Sequence, residues 1–585
     1  MSTTRQERES VGLRTVRSLL AEPVERTADP RVLVWLALSL LFATYFAGEA
    51  MRQAFAGQYI VQDDVRQHAF WMYRFLDPDL FPHDLIADYF QSIAPLGYTA
   101  LYRGLMFTGL QPITISKLLP MVLGLITTVA CFGVSFKILR VPLGGFLSSL
   151  IVNQSMWMQD DLVTATPRAF AYPLFAVYLY FFVRDSFVGC IVVIAIQALF
   201  YPATALVSIG MLALALIEWE GGRPHLSRNK RRYLLFAAAA ALTLAILGLY
   251  SIQTSRFGPV ISGSDARTTP EFLPRGRTNF FGVDFWTYWF SGSRSGMTPE
   301  TMLRDVPLYG ALLLPILYFF RSRFPLCSRL KAGSSLWLAI GSSIFWFFAA
   351  HALLFKLHHP NRYTAHTLRV TLSIASGIAL SIAIGAILGK AAVARALPLK
   401  LLAVASAVVI VGAVIWFPRT QANFPNTKYR TGHVPELYEF FSRQPKDGLI
   451  ASLSPETKNI PIFARRPILV AREYSLPFHK GYYEEVSRRA SELIDASYTE
   501  DPAELRRFLE KYHVKFLMIE RRLMSPAHLK RDGWLMQYEP SAARAIQRLN
   551  DGAVPAVEAF MKSCAVFESD DYVVLDADCV LNSRE

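Results

Sequence analysis

Two adjacent carboxylates, Asp63 and Asp64, stand in the run QYIVQDDVRQHAFW at 58–71, and a second pair, Asp160 and Asp161, stands in MQDDLV at 158–163. Paired acids suit two kinds of chemistry. Their oxygens can coordinate a hard divalent cation such as Mg²⁺ or Mn²⁺, with Asp63, Asp64, Asp160 and Asp161 as the ligand set, or one acid can serve as a general base. The competing local reading is that Asp63 caps a short helix starting near Val65, and that Asp160 and Asp161 cap the next helix. On the predicted helix after Asp64, a spacing of four puts His68 on the same face; with Arg66 and Arg74 it is a candidate phosphate contact, or the three line a wet, amphipathic surface.

Positive charge gathers elsewhere. The turn LHHPNRYTAHTLR at 357–369 holds His358, His359, Arg362, His366 and Arg369. Arginine suits bidentate phosphate binding, so this cluster is a candidate anion site, with a basic and aromatic membrane anchor as the alternative. Arg168, in ATPRAFAYP, stands at the edge of an apolar segment, where an arginine ordinarily snorkels unless an anionic headgroup docks on it. The stretch 254–305 adds Asp284 and Glu300 as further acidic candidates. Its aromatics Phe280, Phe281, Phe285, Trp286, Tyr288, Trp289 and Phe290 are suited to dipping into a membrane interface or covering a lipid-bound substrate.

The elements that must position these groups are apolar helices. The chain has 585 residues, 52% of them hydrophobic and only 18% charged, and its mean hydropathy is +0.28. That is too apolar for an ordinary soluble enzyme of this size. The apolar runs predict about eleven transmembrane helices, at 32–46, 118–136, 143–158, 169–183, 188–201, 203–217, 234–252, 306–320, 334–355, 368–388 and 401–417. Around Tyr201-Pro202 the pattern also fits one long broken helix. The run 96–110 reads as a membrane-surface helix because Arg103 interrupts it.

Residues 1–31, with Arg5, Arg8, Arg14, Arg17 and Arg26, read as a cytoplasmic tail and not as a cleaved signal peptide. An odd number of spans then places every strongly basic short loop inside: Lys137 and Arg140, Arg184, Arg223 to Arg232, Arg321 to Lys331, and Lys390 to Lys400. This accounts for the net charge of +14 without a nucleic-acid partner. Both acid pairs and the basic turn fall outside, together with the long loops 47–117 and 254–305 and the whole tail from 418. Two acid pairs on one face favour the functional reading over the capping one.

In the tail, DGLIASL, RPILVAR, VKFLMIE and YVVLDAD predict strands, and DPAELRRFLEKYH predicts an amphipathic helix capped by Asp501. The chain thus divides into a tail at 1–31, a membrane domain at 32–417 and a C-terminal extracytoplasmic α/β domain at 418–585. Cys564 and Cys579 flank a predicted hairpin and are able to pair if the tail is exported. The segment 464–489 reads as a solvated face of the tail.

Together these features resemble the GT-C glycosyltransferases. Asp63-Asp64-Val-Arg-Gln-His68 looks like the Asp-Asp-x-x-x-His pattern in the first loop of some oligosaccharyltransferase catalytic subunits, and Asp160-Asp161 sits where that group carries its second acidic motif. PNRY at 360–363 is similar to the Pro-x-Arg-Tyr turn of protein mannosyltransferase relatives. The Trp-Trp-Asp-Tyr-Gly motif of oligosaccharyltransferases is absent, so the resemblance does not extend to asparagine-linked protein glycosylation.

It implies an enzyme of a bacterial inner or plasma membrane that moves a sugar from a polyprenyl-phosphate-linked donor to a glycan, lipid or protein acceptor outside the cytoplasm, with no nucleotide cofactor. Asp64 or Asp63 would be the general base or a metal ligand, Asp160 and Asp161 would assist, and Arg362, His358, His359 and Arg168 would hold the donor phosphate. The rival readings are a flippase for lipid-linked saccharides, which calls for ionisable residues and broken helices at the membrane midplane, and a non-catalytic envelope scaffold.

Overall fold

The computed structural model describes residues 11–394 and 396–583. Arg5, Arg8 and Arg395 therefore lie outside the described residues. The predicted N-terminal tail is not all extended chain: Val11–Leu20 is a helix, and its Leu13 is buried against the bundle.

Each of the eleven predicted stretches is helical. In chain order they are α1 (Pro30–Ala54), α2 (Pro112–Ile138), α3 (Pro142–Trp157), α4 (Ala171–Val183), α5 (Phe187–Phe200), α6 (Pro202–Leu214), α7 (Lys230–Thr254), α8 (Leu313–Phe319, led in by a 3-10 turn), α9 (Ser334–Ala352), α10 (Thr367–Val393) and α11 (Leu397–Trp416). Among the described residues six helices are long and apolar enough to cross a membrane by length and composition, while α4, α5, α6 and the α8 segment are shorter apolar helices. The helix α3 is buried at every residue. Such a helix must lie at the centre of a bundle, and it packs against α1, α2 and α10.

At Tyr201-Pro202 the chain reverses direction. Gln197 of α5 donates to Leu174 O of α4 at 3.2 Å, and Tyr178 of α4 donates to Ser208 O of α6 at 3.0 Å. These bonds make α5 and α6 an antiparallel pair and not one broken helix, because proline at the first position of α6 needs no N–H partner and starts a new helix. Leu96–Met106 forms an eleven-residue helix, about 16 Å by the helical rise and too short to span.

The loops that the sequence groups on one face do gather at one end of the bundle. Strand Ile60–Gln62 of the first loop pairs antiparallel with Tyr429–Thr431 of the tail. Phe478 O accepts from Ile261 N at 2.9 Å, joining the tail to the stretch 254–305. Basic connections meet at the opposite end, where Lys331 N donates to Ile138 O and Val24 N to Arg140 O.

The tail contains a four-stranded sheet ordered Leu449–Ala451, Val514–Glu520, Tyr572–Asp576, Ala565–Glu568, with the first pair parallel and the others antiparallel. RPILVAR does not form the predicted strand; it contributes a single bridge, Ile468 to Ile450. Asp501 caps helix Pro502–Tyr512 as expected, accepting from Ala503 N. Cys564 and Cys579 form a disulfide across the base of the terminal hairpin.

Candidate active site

The acid pairs come together, but not as two equivalent pairs. Arg168, which opens the short turn before α4, lies between them. Its Nη2 bonds Asp64 and lies 3.1 Å from Asp160 Oδ2, while its Nη1 lies 3.1 Å from Asp161 Oδ1. The snorkelling arginine of the sequence reading is therefore the hub of the cluster. Asp63 turns the other way, to Arg66 and to Arg430 at 3.4 Å. The capping alternative fails: the cap position of the first helix is Asp64 and not Asp63, and neither Asp64 nor Asp161, the cap of the second, accepts a capping N–H.

This arrangement divides the expected metal-ligand set. Asp63 faces away from the other three acids, and the oxygens of Asp64, Asp160 and Asp161 converge on a guanidinium. Among the described residues no group of three or more His, Cys, Asp or Glu side chains is disposed to hold an ion. Arg168 engages the oxygens that a divalent cation would use.

Further contacts hold the acids. Asp161 Oδ2 lies 3.3 Å from His366 Nε2 and accepts from the Gln159 amide at 2.6 Å in the orientation that satisfies both amide ends. Asp160 reaches Lys428 at 3.2 Å. Burial pushes the carboxyls of Asp64 and Asp161 up, but the surrounding positive groups together, Arg168 foremost, outweigh it and hold both below the ordinary carboxylate range. Both are anions. His68 stands on the Asp64 side as predicted, and burial lowers it to about 4, so it is neutral.

Several expected phosphate contacts are structural instead. Arg66 is 2% exposed and spends its donors on Asp63, on Asn459 Oδ1 at 3.1 Å and on Glu473 at 3.5 Å. Arg74 pairs with Asp88 at 2.8 Å and Gln91 at 2.9 Å. Arg369 is fully buried beside Asp305, 3.7 Å away and equally buried, and bonds Ser155 Oγ and Thr301 Oγ1 at 2.9 and 2.7 Å.

The basic turn is less cationic than its composition suggests. His359 is buried against Phe280, Phe355 and Phe478, and half-buried His358 packs on Phe478 and on His359. Burial, then neighbouring positive charge, keeps both protonation constants well below the usual histidine value. Neutral rings in an aromatic cage do not serve as phosphate counter-charges. Of the acidic candidates in 254–305, Asp284 accepts from Trp286 N and Thr287 N at 3.0 Å, and Glu300 pairs with exposed Arg304. Neither reaches the cluster.

The stretch 254–305 supplies what the sequence reading missed. Arg294, in the run SGSRSG, is tied to the basic turn: Asn361 N donates to Arg294 O at 3.2 Å, and Asn361 Nδ2 to Ser293 O at 2.5 Å. Arg294 itself donates to Arg277 O at 3.2 Å. Burial, with Arg277, Arg362 and Arg168 close by, lowers it to about 10 while Asp64 opposes the shift, so it stays cationic. Arg277 is matched by Glu473 at 3.0 Å. Among the described residues neither Arg294 nor Arg362 has a carboxylate within ion-pair distance. Arg362 lies over the Tyr201 ring at 5.8 Å, at the α5–α6 reversal. The glycine- and serine-rich setting of Arg294 was the only signal in the sequence.

The segment 464–489 is a joint and not a solvated face. Glu473 binds Arg66, Arg277 and Gln67, and Tyr482 stacks on Tyr89 of the first loop at 3.6 Å.

No protein-family model and no curated sequence matches the chain. Solved structures do. The chain is similar to the archaeal oligosaccharyltransferase AglB from Archaeoglobus fulgidus, in complex with an inhibitory peptide and a dolichol-phosphate, with a TM-score of 0.53 at 12% identity over 92% of this chain and 73% of that one. The apo form of the Archaeoglobus fulgidus oligosaccharyltransferase gives 0.50 at 10% identity with the same coverage. ArnT from Cupriavidus metallidurans in the apo state gives 0.45 at 13% identity over 96% of this chain and all of that one. The protein has the fold of the GT-C membrane glycosyltransferases.

Proposed function

We propose that the protein transfers a glycosyl group from a polyprenyl-linked phosphate or pyrophosphate donor to an acceptor hydroxyl on the extracytoplasmic side of a membrane. The observation that carries this reading is the closeness of an anionic Asp64 to two guanidiniums, Arg294 and Arg362, that among the described residues have no carboxylate within ion-pair distance. They stand at the end of an apolar bundle, where a lipid phosphate would be presented. The dolichol-phosphate bound to the similarly folded AglB supports the donor class. The disulfide Cys564–Cys579 supports an oxidising compartment for the tail.

In the step itself, the acceptor oxygen bonds the anomeric carbon as the bond from that carbon to the phosphate oxygen breaks. Asp64 takes the acceptor proton, and the leaving electron pair stays on the phosphate, stabilised by Arg362 and Arg294. Arg168 must release Asp64 as substrate binds; Asp160 and Asp161 retain it when it does. His358 and His359 support the turn that carries Arg362. No step is routed through a metal ion.

The test compares, by mass spectrometry, glycolipids and envelope glycans of cells carrying the wild type, no protein, or Asp64→Asn at equal level. Loss of one glycan with accumulation of its lipid-linked donor in both the deletion and the variant is the expected result. A variant that behaves as wild type while the deletion has a phenotype would falsify the role of Asp64 and advance the scaffold or flippase reading.

A further inference from the structure

The segment 283–292 has two unlike sides. Tyr288 and Trp289 turn inward, their rings 5.2 and 4.6 Å from that of His351 in the last turn of α9, and Trp289 also reaches Phe348 at 6.1 Å. Phe285, Trp286 and Phe290 turn outward and are 63%, 68% and 42% exposed. They touch one another, Phe285 to Trp286 at 5.6 Å and Trp286 to Phe290 at 5.2 Å, so they form one patch and not scattered side chains. A contiguous exposed aromatic patch needs a partner.

The patch continues a surface whose solvent is lipid. Trp337, Phe345 and Phe348 are exposed along α9, a helix long and apolar enough to cross a membrane, and Trp289 joins the patch to the end of that strip. Val306, Leu312 and Ile316, leading into and along α8, are exposed as well. Tryptophan and other aromatics at the end of a lipid-facing strip match the chemistry of the bilayer's headgroup boundary, which takes an apolar ring body beside polar groups.

The same segment is rigidly connected to Arg294. Gly292 N donates to Thr287 O at 2.6 Å, Met297 N to Trp289 O at 3.0 Å, and Thr298 N to Phe290 O at 2.8 Å. Ser295 O lies 2.9 Å from His351 Nε2. A Cβ at Gly296 would collide with the backbone of Gly292 and Phe290, so the return of the chain is close-packed.

We propose that Phe285, Trp286 and Phe290 form a wedge inserted in the lipid headgroup boundary, and that this insertion fixes the height of Arg294 over the phosphate-binding cluster. The second half rests on the donor reading above; the first does not. The wedge ties phosphate recognition to the bilayer that delivers the lipid, and detergent extraction removes the tie.

The experiment places a spin label on W286C in nanodiscs of phosphatidylcholine and phosphatidylglycerol, with K530C on the exposed side of the tail as the aqueous control. The free cysteines Cys131, Cys190 and Cys327 are buried, which directs the label to the new site. The expected result is strong collision with oxygen and weak collision with a nickel chelate at position 286, the reverse of position 530. Equal nickel access at the two positions, or dipolar coupling between labels on two copies of the chain, overturns the wedge.

Binding of a polyprenyl phosphate to the protein in the same nanodiscs tests the connection. The triple variant Phe285→Ser, Trp286→Ser, Phe290→Ser is expected to weaken it about 10- to 100-fold, as loss of the Arg294 contact does, and adding Arg294→Ala is expected to weaken it no further. Unchanged binding in the triple variant, with the label still in lipid, overturns the link to Arg294 while the wedge stands. A wild-type chain that binds no polyprenyl phosphate overturns the donor reading and that link together, and the label still decides the wedge.

Discussion

The Nη2 of Arg168 that bonds Asp64 is also 3.1 Å from Asp160 Oδ2, so one guanidinium atom links the first loop to the second acid pair. Remove it and Asp64, Asp160 and Asp161 face one another with no common counter-charge. Arg168→Ala is expected to abolish transfer and to cost about 1–3 kcal/mol of stability, between the values for exposed and fully buried ion pairs, because the cluster is half-buried. The pH dependence carries the sign. Asp64 and Asp161 are held below the ordinary carboxylate value, so their stabilisation is present above that value and lost as pH falls through their folded values. The gap in melting temperature between wild type and variant should therefore be widest near pH 7 and close below about pH 4.

Asp63 and Asp64 are neighbours with different partners, and their substitutions should separate. Asp64→Asn is expected to reduce transfer at least 1000-fold, on the order expected when a general base is lost. Asp63→Asn loses contacts to Arg66 and Arg430 and is expected to cost about tenfold at most, since the exposed pair with Arg430 contributes little and Arg66 keeps Asn459 and Glu473. Single-turnover rates with a lipid-linked donor in nanodiscs decide it, and equal losses would refute the distinction.

Arg294 and Arg362 are expected to act on donor affinity. Alanine at either position should weaken lipid phosphate binding about 10- to 100-fold, the range for one charge-assisted contact. His358→Phe should leave affinity near wild type, because the ring it replaces is already neutral and packed on Phe478 at 4.7 Å. Titration with a polyprenyl phosphate checks both; a large loss in His358→Phe would restore the histidine to the phosphate site.

His68 links stability to pH in its own window. Its folded value is about 4, against about 6.5 unfolded. Between these values the unfolded chain binds a proton that the folded chain does not, so stability falls as pH drops from about 6.5 to 4. His68→Gln is expected to flatten that part of the melting curve against pH, and an unchanged slope would place the titration elsewhere.

Asp305 and Arg369 are both fully buried, 3.7 Å apart. Arg369→Met alone leaves a carboxylate without its counter-charge and is expected to destabilise by about 3–5 kcal/mol. Adding Asp305→Leu should recover much of that loss. A double-mutant cycle by thermal unfolding in detergent reads the coupling, and strictly additive losses would argue against it.

The apolar runs, read alone, determined the eleven helices and the loops that share an end of the bundle, because helix formation and loop parity depend on local hydrophobicity. They also singled out Asp64, Asp160, Asp161, Arg168 and Arg362, since ionisable residues beside apolar segments are costly and therefore conspicuous. What each acid and base does was decided only by tertiary contacts. Asp63 and Asp64 are distinguished by Arg430 and Arg168, which come from distant parts of the chain. His358 and His359 look cationic in sequence and become neutral because the fold packs them on Phe478, with Phe280 and Phe355 also against His359, beside Arg362 and Arg294. Arg294 is one of many arginines until Asn361 draws its loop to the cluster. Glu473 and Tyr482 look like surface residues until the first loop packs on them. Charge state, ion pairing and stacking are set by neighbours far apart in the chain, and local pattern carries no record of them.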